Sequence, residues 1–92
     1  MKHLHLRVIN EVGLHARPAA VFVKEAGRFE SDIRVRNATM GTDWVDAKSI
    51  LGVLTLGVEK DHEIELLVEG SDEAEATASL EELIRTDFAG RL

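Results

Sequence analysis

Hydrophobic and polar positions alternate with period two in three stretches of the chain. In Lys2–Ile9, Leu4, Leu6 and Val8 fall on one side and His3, His5 and Arg7 on the other. In Asp32–Asn37, Ile33 and Val35 oppose Arg34 and Arg36, and in His62–Glu69, Ile64, Leu66 and Val68 oppose Glu63, Glu65 and Glu69. Each pattern predicts a strand with one buried face. Two stretches carry the helical period instead. Ala19, Phe22, Val23 and Ala26 give Ala16–Arg28 an apolar stripe, with Pro18 in the first turn, where its missing N–H matters least. Asp72–Phe88 reads as a second amphipathic helix, opened by Asp72-x-x-Glu75, a variant of the capping box. Between them, Asp43–Asp46 predicts a short strand and Ser49–Leu54 a short helix with Ser49 as N-cap. Loops fall at Asn10–Leu14, Ala38–Thr42 and Leu56–Asp61.

The resulting order is βαββαβα, an α+β arrangement. Strands with one polar face place all helices on one side of an antiparallel sheet. The outward charges suggest the strand order. The glutamates of the fourth strand match the cations of both the first and the second, and opposite charges favour neighbouring strands. Placing the fourth strand between these two gives 1-4-2-3. A ferredoxin-like 4-1-3-2 order separates the fourth from the second.

Composition narrows the class. The chain has 92 residues, 45% apolar and 30% charged, which fits one globular domain spanning 1–92. Net charge is −6, concentrated in residues 49–92, which argues against a nucleic-acid partner. Cysteine is absent, which removes disulfides and thiolate metal sites. The first residues, MKHLHLRV, lack a signal-peptide apolar run, and no stretch approaches the ~20 apolar residues of a membrane span. The expectation is a cytoplasmic monomer that needs no cofactor.

The chemistry concentrates in Gly13-Leu14-His15-Ala16-Arg17-Pro18-Ala19-Ala20. His15 stands at the N-cap of the first helix. The N–H groups of Ala16 and Arg17 are unpaired there, and the helix dipole adds positive potential. The Arg17 guanidinium can fork onto phosphate oxygens. An imidazole nucleophile beside a small anion nest suits reversible phosphoryl transfer. The plain alternative is an ordinary N-cap followed by a solvated arginine.

This segment, together with Lys48-Ser49-Ile50-Leu51-Gly52-Val53-Leu54-Thr55-Leu56-Gly57, closely resembles the histidine-containing phosphocarrier (HPr) family of the bacterial sugar phosphotransferase system. The likeness covers essentially the whole chain. It implies the open-faced βαββαβα sandwich with strand order 1-4-2-3. It also implies that enzyme I phosphorylates His15, on Nδ1, and that IIA domains of sugar permeases receive the group. Arg17 matches the family's phosphate-contacting arginine. Ala16, Ala20, Lys24, Leu51 and Leu54 match its docking face, although Leu51 and Leu54 also read as core. Ser49 matches the serine that a dedicated kinase/phosphorylase modifies in many relatives, where the modified protein engages a catabolite-control transcription factor. A nitrogen-linked or dihydroxyacetone-kinase branch, or a module acting mainly through Ser49, remains open from sequence.

The chain departs from the family in several places. The segment between His15 and Ser49 is longer, with the extra residues expected around Asn37–Thr42. Val12 replaces a frequent polar residue, Asp46 a frequent asparagine and Gly27 a frequent basic residue. The pair His3-x-His5 offers two imidazoles to a metal but no third ligand, so a solvated strand face is the simpler reading.

Overall fold

The alternating stretches build one four-stranded antiparallel sheet in the order β1-β4-β2-β3. The computed structural model describes all 92 residues. Its elements are β1 (Lys2–Arg7), α1 (Ala16–Ala26), β2 (Asp32–Asn37), β3 (Val45–Asp46), α2 (Ile50–Thr55), β4 (Glu63–Glu69) and α3 (Glu73–Arg85), followed by a single turn of 3-10 helix at Asp87–Gly90. The three α-helices complete an open-faced sandwich. Its core joins Ile33, Val35, Ile64, Leu66 and Val68 of the sheet to Ala19 and Phe22 of α1 and Leu80 and Ile84 of α3. No helix is long and apolar enough to cross a membrane.

The opposite charges on neighbouring strands meet at the level of atoms. On the open face, Glu65 of β4 accepts hydrogen bonds from Arg36 of β2 at 2.7 Å and from the ring of His3 of β1 at 2.8 Å. The Arg36 guanidinium also stacks over Trp44, 5.5 Å from the ring centroid. Arg36, and then His3, hold the Glu65 carboxyl below its ordinary range. His5 pairs with Glu63 in the same way. Both imidazoles of His3-x-His5 are therefore engaged with carboxylates across the sheet, and no cluster of three metal-ligating side chains forms.

Three local expectations change. The third strand shrinks to Val45–Asp46, because residues 38–44 form a loop folded around Asn37, whose side-chain carbonyl accepts from Met40 N–H (3.1 Å). Asp72 stands at the N-cap of α3, but its side chain makes no capping bond. Its carboxylate turns instead to the β2 approach, accepting from Glu30 N–H at 2.8 Å and Ser31 N–H at 2.9 Å. These bonds, with that from the Ser31 hydroxyl first, hold Asp72 below its usual pKa. The last helix ends at Arg85, where the Thr86 hydroxyl donates to the Glu82 carbonyl (2.7 Å). Phe88 then reaches the core from a turn whose residues 87–89 all have positive φ.

Ser49 is the N-cap the pattern predicts: its Oγ accepts from Gly52 N–H at 3.1 Å. Ser49→Ala is expected to lower unfolding free energy by about 1 kcal/mol in a urea titration.

Glu25 of α1 is the buried charge of the fold, 2% exposed. It accepts from Arg28 at 2.8 Å, from Arg91 at 2.9 Å and from the Ser79 hydroxyl of α3. Burial alone raises its pKa, but the bonds from Ser79, Arg91 and Arg28 outweigh that and leave it below the ordinary value of 4.5. A carboxyl whose native pKa is depressed stabilises the fold above its unfolded pKa, and that contribution disappears as pH falls through the native value. Thermal unfolding should therefore lose stability as pH drops below about 4.5, and Glu25→Gln should flatten that slope while lowering stability at neutral pH.

Candidate functional site

Two loops meet at the start of α1 and fix the surroundings of His15. The first, residues 8–14, is held by Asn10, whose side-chain carbonyl accepts from Val12 N–H (3.0 Å) and whose amide donates to Asp87 (2.8 Å). The second loop, residues 57–61, lies directly against the first. Leu14 N–H donates to the Val58 carbonyl (2.9 Å), Asp61 N–H to that of Val8 (2.7 Å) and Val8 N–H to that of His62 (2.9 Å). Lys60 and Glu11 add an ion pair at 2.9 Å.

Gly13 makes this approach feasible. Its φ is +67°, and a Cβ there would stand 2.0 Å from the Val58 carbonyl oxygen and 2.7 Å from the Glu59 Cα. Glycine is required both for the left-handed conformation and for the space.

His15 takes the N-cap position of α1 in an extended conformation, but its side chain makes no capping bond. The ring is half-buried. Its Nε2 lies 3.0 Å from Oε2 of the exposed Glu59 on the facing loop. The N–H groups of Ala16 and Arg17 form no hydrogen bond within the chain, so the first turn of an 11-residue helix presents free donors beside the ring. Ala16 has φ +49°, a left-handed conformation that costs a residue bearing a Cβ about 1 kcal/mol or more. Arg17 is exposed, and one arm of its guanidinium donates to the Leu92 carbonyl at 2.8 Å. Arg91 is tied to Glu25, so the buried carboxylate anchors the segment that meets Arg17.

Ala16, Ala20 and Lys24 recur every fourth residue on α1, and all are exposed. On α2, which packs against α1, Leu51 is 74% and Leu54 39% exposed. The core alternative for these two leucines therefore does not hold. Sequence reading missed Glu59 and His62. The His62 Nδ1 accepts from both Glu59 N–H (3.1 Å) and the buried Asn37 amide (3.1 Å). A histidine next to a loop was the only signal available for it.

A family model described as the PTS HPr component phosphorylation site matches residues 3–86. The chain belongs to the HPr family, the phosphocarriers of the phosphotransferase system. It is 43% identical to the phosphocarrier protein HPr of Treponema pallidum over 83 residues, covering 90% of this chain and 91% of that one. It is 45% identical over 74 residues to a multiphosphoryl transfer protein of Vibrio cholerae, covering 80% of this chain but 18% of that longer protein. Among solved structures, HPr from Thermoanaerobacter tengcongensis superimposes with a TM-score of 0.91 at 42% identity, each chain covered completely. The sheet order and helix placement are those of HPr.

Proposed function

We propose that His15 is the phosphoryl acceptor and that the protein works as a stoichiometric carrier, not an enzyme. It takes the group from phosphorylated enzyme I and delivers it to IIA domains of sugar permeases in the cytoplasm. The observation that carries this reading is the accessible ring of His15 beside the unpaired amides of Ala16 and Arg17. An incoming phosphoryl group meets partial positive charge from those amides and the helix start. Arg17 can add to it, since only one guanidinium donor is engaged at Leu92 and a guanidinium has five. Pro18 withholds a third amide, so the group is held loosely enough to be passed on.

The exposed leucines 51 and 54, with Ala16, Ala20 and Lys24, form the surface on which partners dock. A contiguous apolar surface beside a reactive group is what a visiting protein needs. Ser49, at the N-cap of α2 and next to Leu51, is the regulatory position. A phosphate there would be tolerated by the helix start while placing negative charge on the docking surface. The protein acts as a monomer.

Incubation with enzyme I and phosphoenolpyruvate, followed by intact mass measurement, tests the carrier role. One added phosphoryl group, labile in acid and stable in alkali, is the result expected of a phosphohistidine. For Ser49, a kinase-dependent and acid-stable label that disappears in Ser49→Ala is the corresponding result.

A further inference from the structure

Glu59 lies outside every motif that marks the site, yet it is the one side chain bonded to the His15 ring. Its position is not accidental to a mobile loop. Glu59 N–H is held by His62 Nδ1 at 3.1 Å, the preceding Val58 carbonyl accepts from Leu14 N–H at 2.9 Å, and the missing Gly13 Cβ leaves the room. These contacts tie the carboxylate to the loop that carries the imidazole.

We infer that Glu59 is a positioning residue for His15, selecting the ring nitrogen that reacts. This rests on His15 being the acceptor. A carboxylate only accepts hydrogen bonds, so the 3.0 Å contact places the ring hydrogen on Nε2. The lone pair of the neutral ring is then on Nδ1, which makes no bond within the chain. When Nδ1 attacks, its lone pair forms the N–P bond while the bond from phosphorus to the donor breaks and its electron pair leaves with the donor. The Nε2 hydrogen stays in place, so the phosphorylated ring carries positive charge, and the Glu59 carboxylate faces that charge directly. On transfer to the next acceptor the N–P electron pair returns to Nδ1 and the original ring is restored. Glu59 thus does for the imidazole what a carboxylate does wherever it orients a reacting histidine: it fixes the tautomer and meets the developing charge. In the free protein the pair is open to water; a docked partner covers it and strengthens the interaction.

The test compares wild type with Glu59→Ala, Glu59→Gln and Glu11→Ala. Two quantities are read: the rate of phosphorylation by enzyme I and phosphoenolpyruvate, and the His15 Nε2–H resonance in NMR at neutral pH. Glu59→Ala is expected to slow phosphorylation about tenfold, the worth of one charge-assisted hydrogen bond to the reacting ring, and to lose the Nε2–H signal to exchange. Glu59→Gln keeps an oxygen acceptor and should retain the signal with a rate between the two. Glu11→Ala removes a carboxylate paired with Lys60 on the same loops and should match wild type. Equal rates in wild type and Glu59→Ala, or a glutamine variant as slow as alanine that keeps its Nε2–H signal, overturn the role of Glu59 while leaving the acceptor intact. If wild type takes no label on His15, the acceptor assignment and this inference fall together.

Discussion

His15→Ala is expected to take no phosphoryl group at all from enzyme I, with labelling below detection at any time of incubation. The other three imidazoles offer no substitute. His3 and His5 lie on the open sheet face of β1, outside the turn that begins α1 and its free amides, and the His62 Nδ1 is filled by two donors. The loss should come without unfolding. The His15 side chain makes no cap bond and its ring bonds only to an exposed carboxylate, so its removal should change stability by less than about 0.5 kcal/mol. Intact mass and a urea titration on the same sample separate chemistry from folding: no added mass, and an unchanged midpoint. A variant that labels as wild type does would place the reactive group elsewhere.

The second large effect is structural. Gly13→Ala combines two penalties, a left-handed conformation for a residue with a Cβ and a clash 2.0 Å from the Val58 oxygen. Gly41 isolates the first of these: its φ is also +67°, and a Cβ there would meet nothing within 4 Å. Gly41→Ala should therefore cost about 1 kcal/mol, and Gly13→Ala about 3 kcal/mol or more, because the backbone of Val58 and Glu59 must move. For a domain whose whole stability is about 5–15 kcal/mol, that is a large share. Phosphoryl acceptance should fall as well, since the same displacement draws Glu59 away from His15. Equal losses in the two alanine variants, measured by urea unfolding, would show that the close approach of the loops contributes nothing.

Much of the fold is legible in the sequence because local pattern and tertiary burial agree. The side chains assigned inward on β1, β2 and β4 are those that pack into the core, apart from the half-buried Leu4 at the start of the chain. The strand order is legible for a different reason: the open face is solvated, so Glu65 must find its cations on the neighbouring strands, and Arg36 and His3 supply them. What fails is what depends on a competing partner. Asp72 satisfies the rules of a helix cap yet spends its carboxylate on Glu30 and Ser31, because the connection before β2 brings two unpaired amides to it. The end of α3 is decided by a hydroxyl, Thr86, bonding back to its own helix, and by Asn10 reaching across to Asp87.

The site divides along the same line. His15, Ala16 and Arg17 are readable because their chemistry follows from the start of one helix. The left-handed backbone of Ala16 has no sequence signature, since alanine is a residue expected to continue a helix. Glu59 and His62 are invisible for want of periodicity; only the contact between two loops brings them to the ring. The bond from Arg17 to Leu92 joins residues 75 apart, a distance at which no local pattern speaks.

The half-exposed imidazole at the start of α1 is expected to carry the phosphoryl group. This is tested most directly by nitrogen and phosphorus NMR of the ring after phosphorylation by enzyme I and phosphoenolpyruvate. The expected result is a single phosphorus resonance coupled to Nδ1 of His15, with the Nε2–H signal retained. A phosphorus resonance assigned to a hydroxyl oxygen or to another histidine, with the His15 ring unchanged, would contradict it.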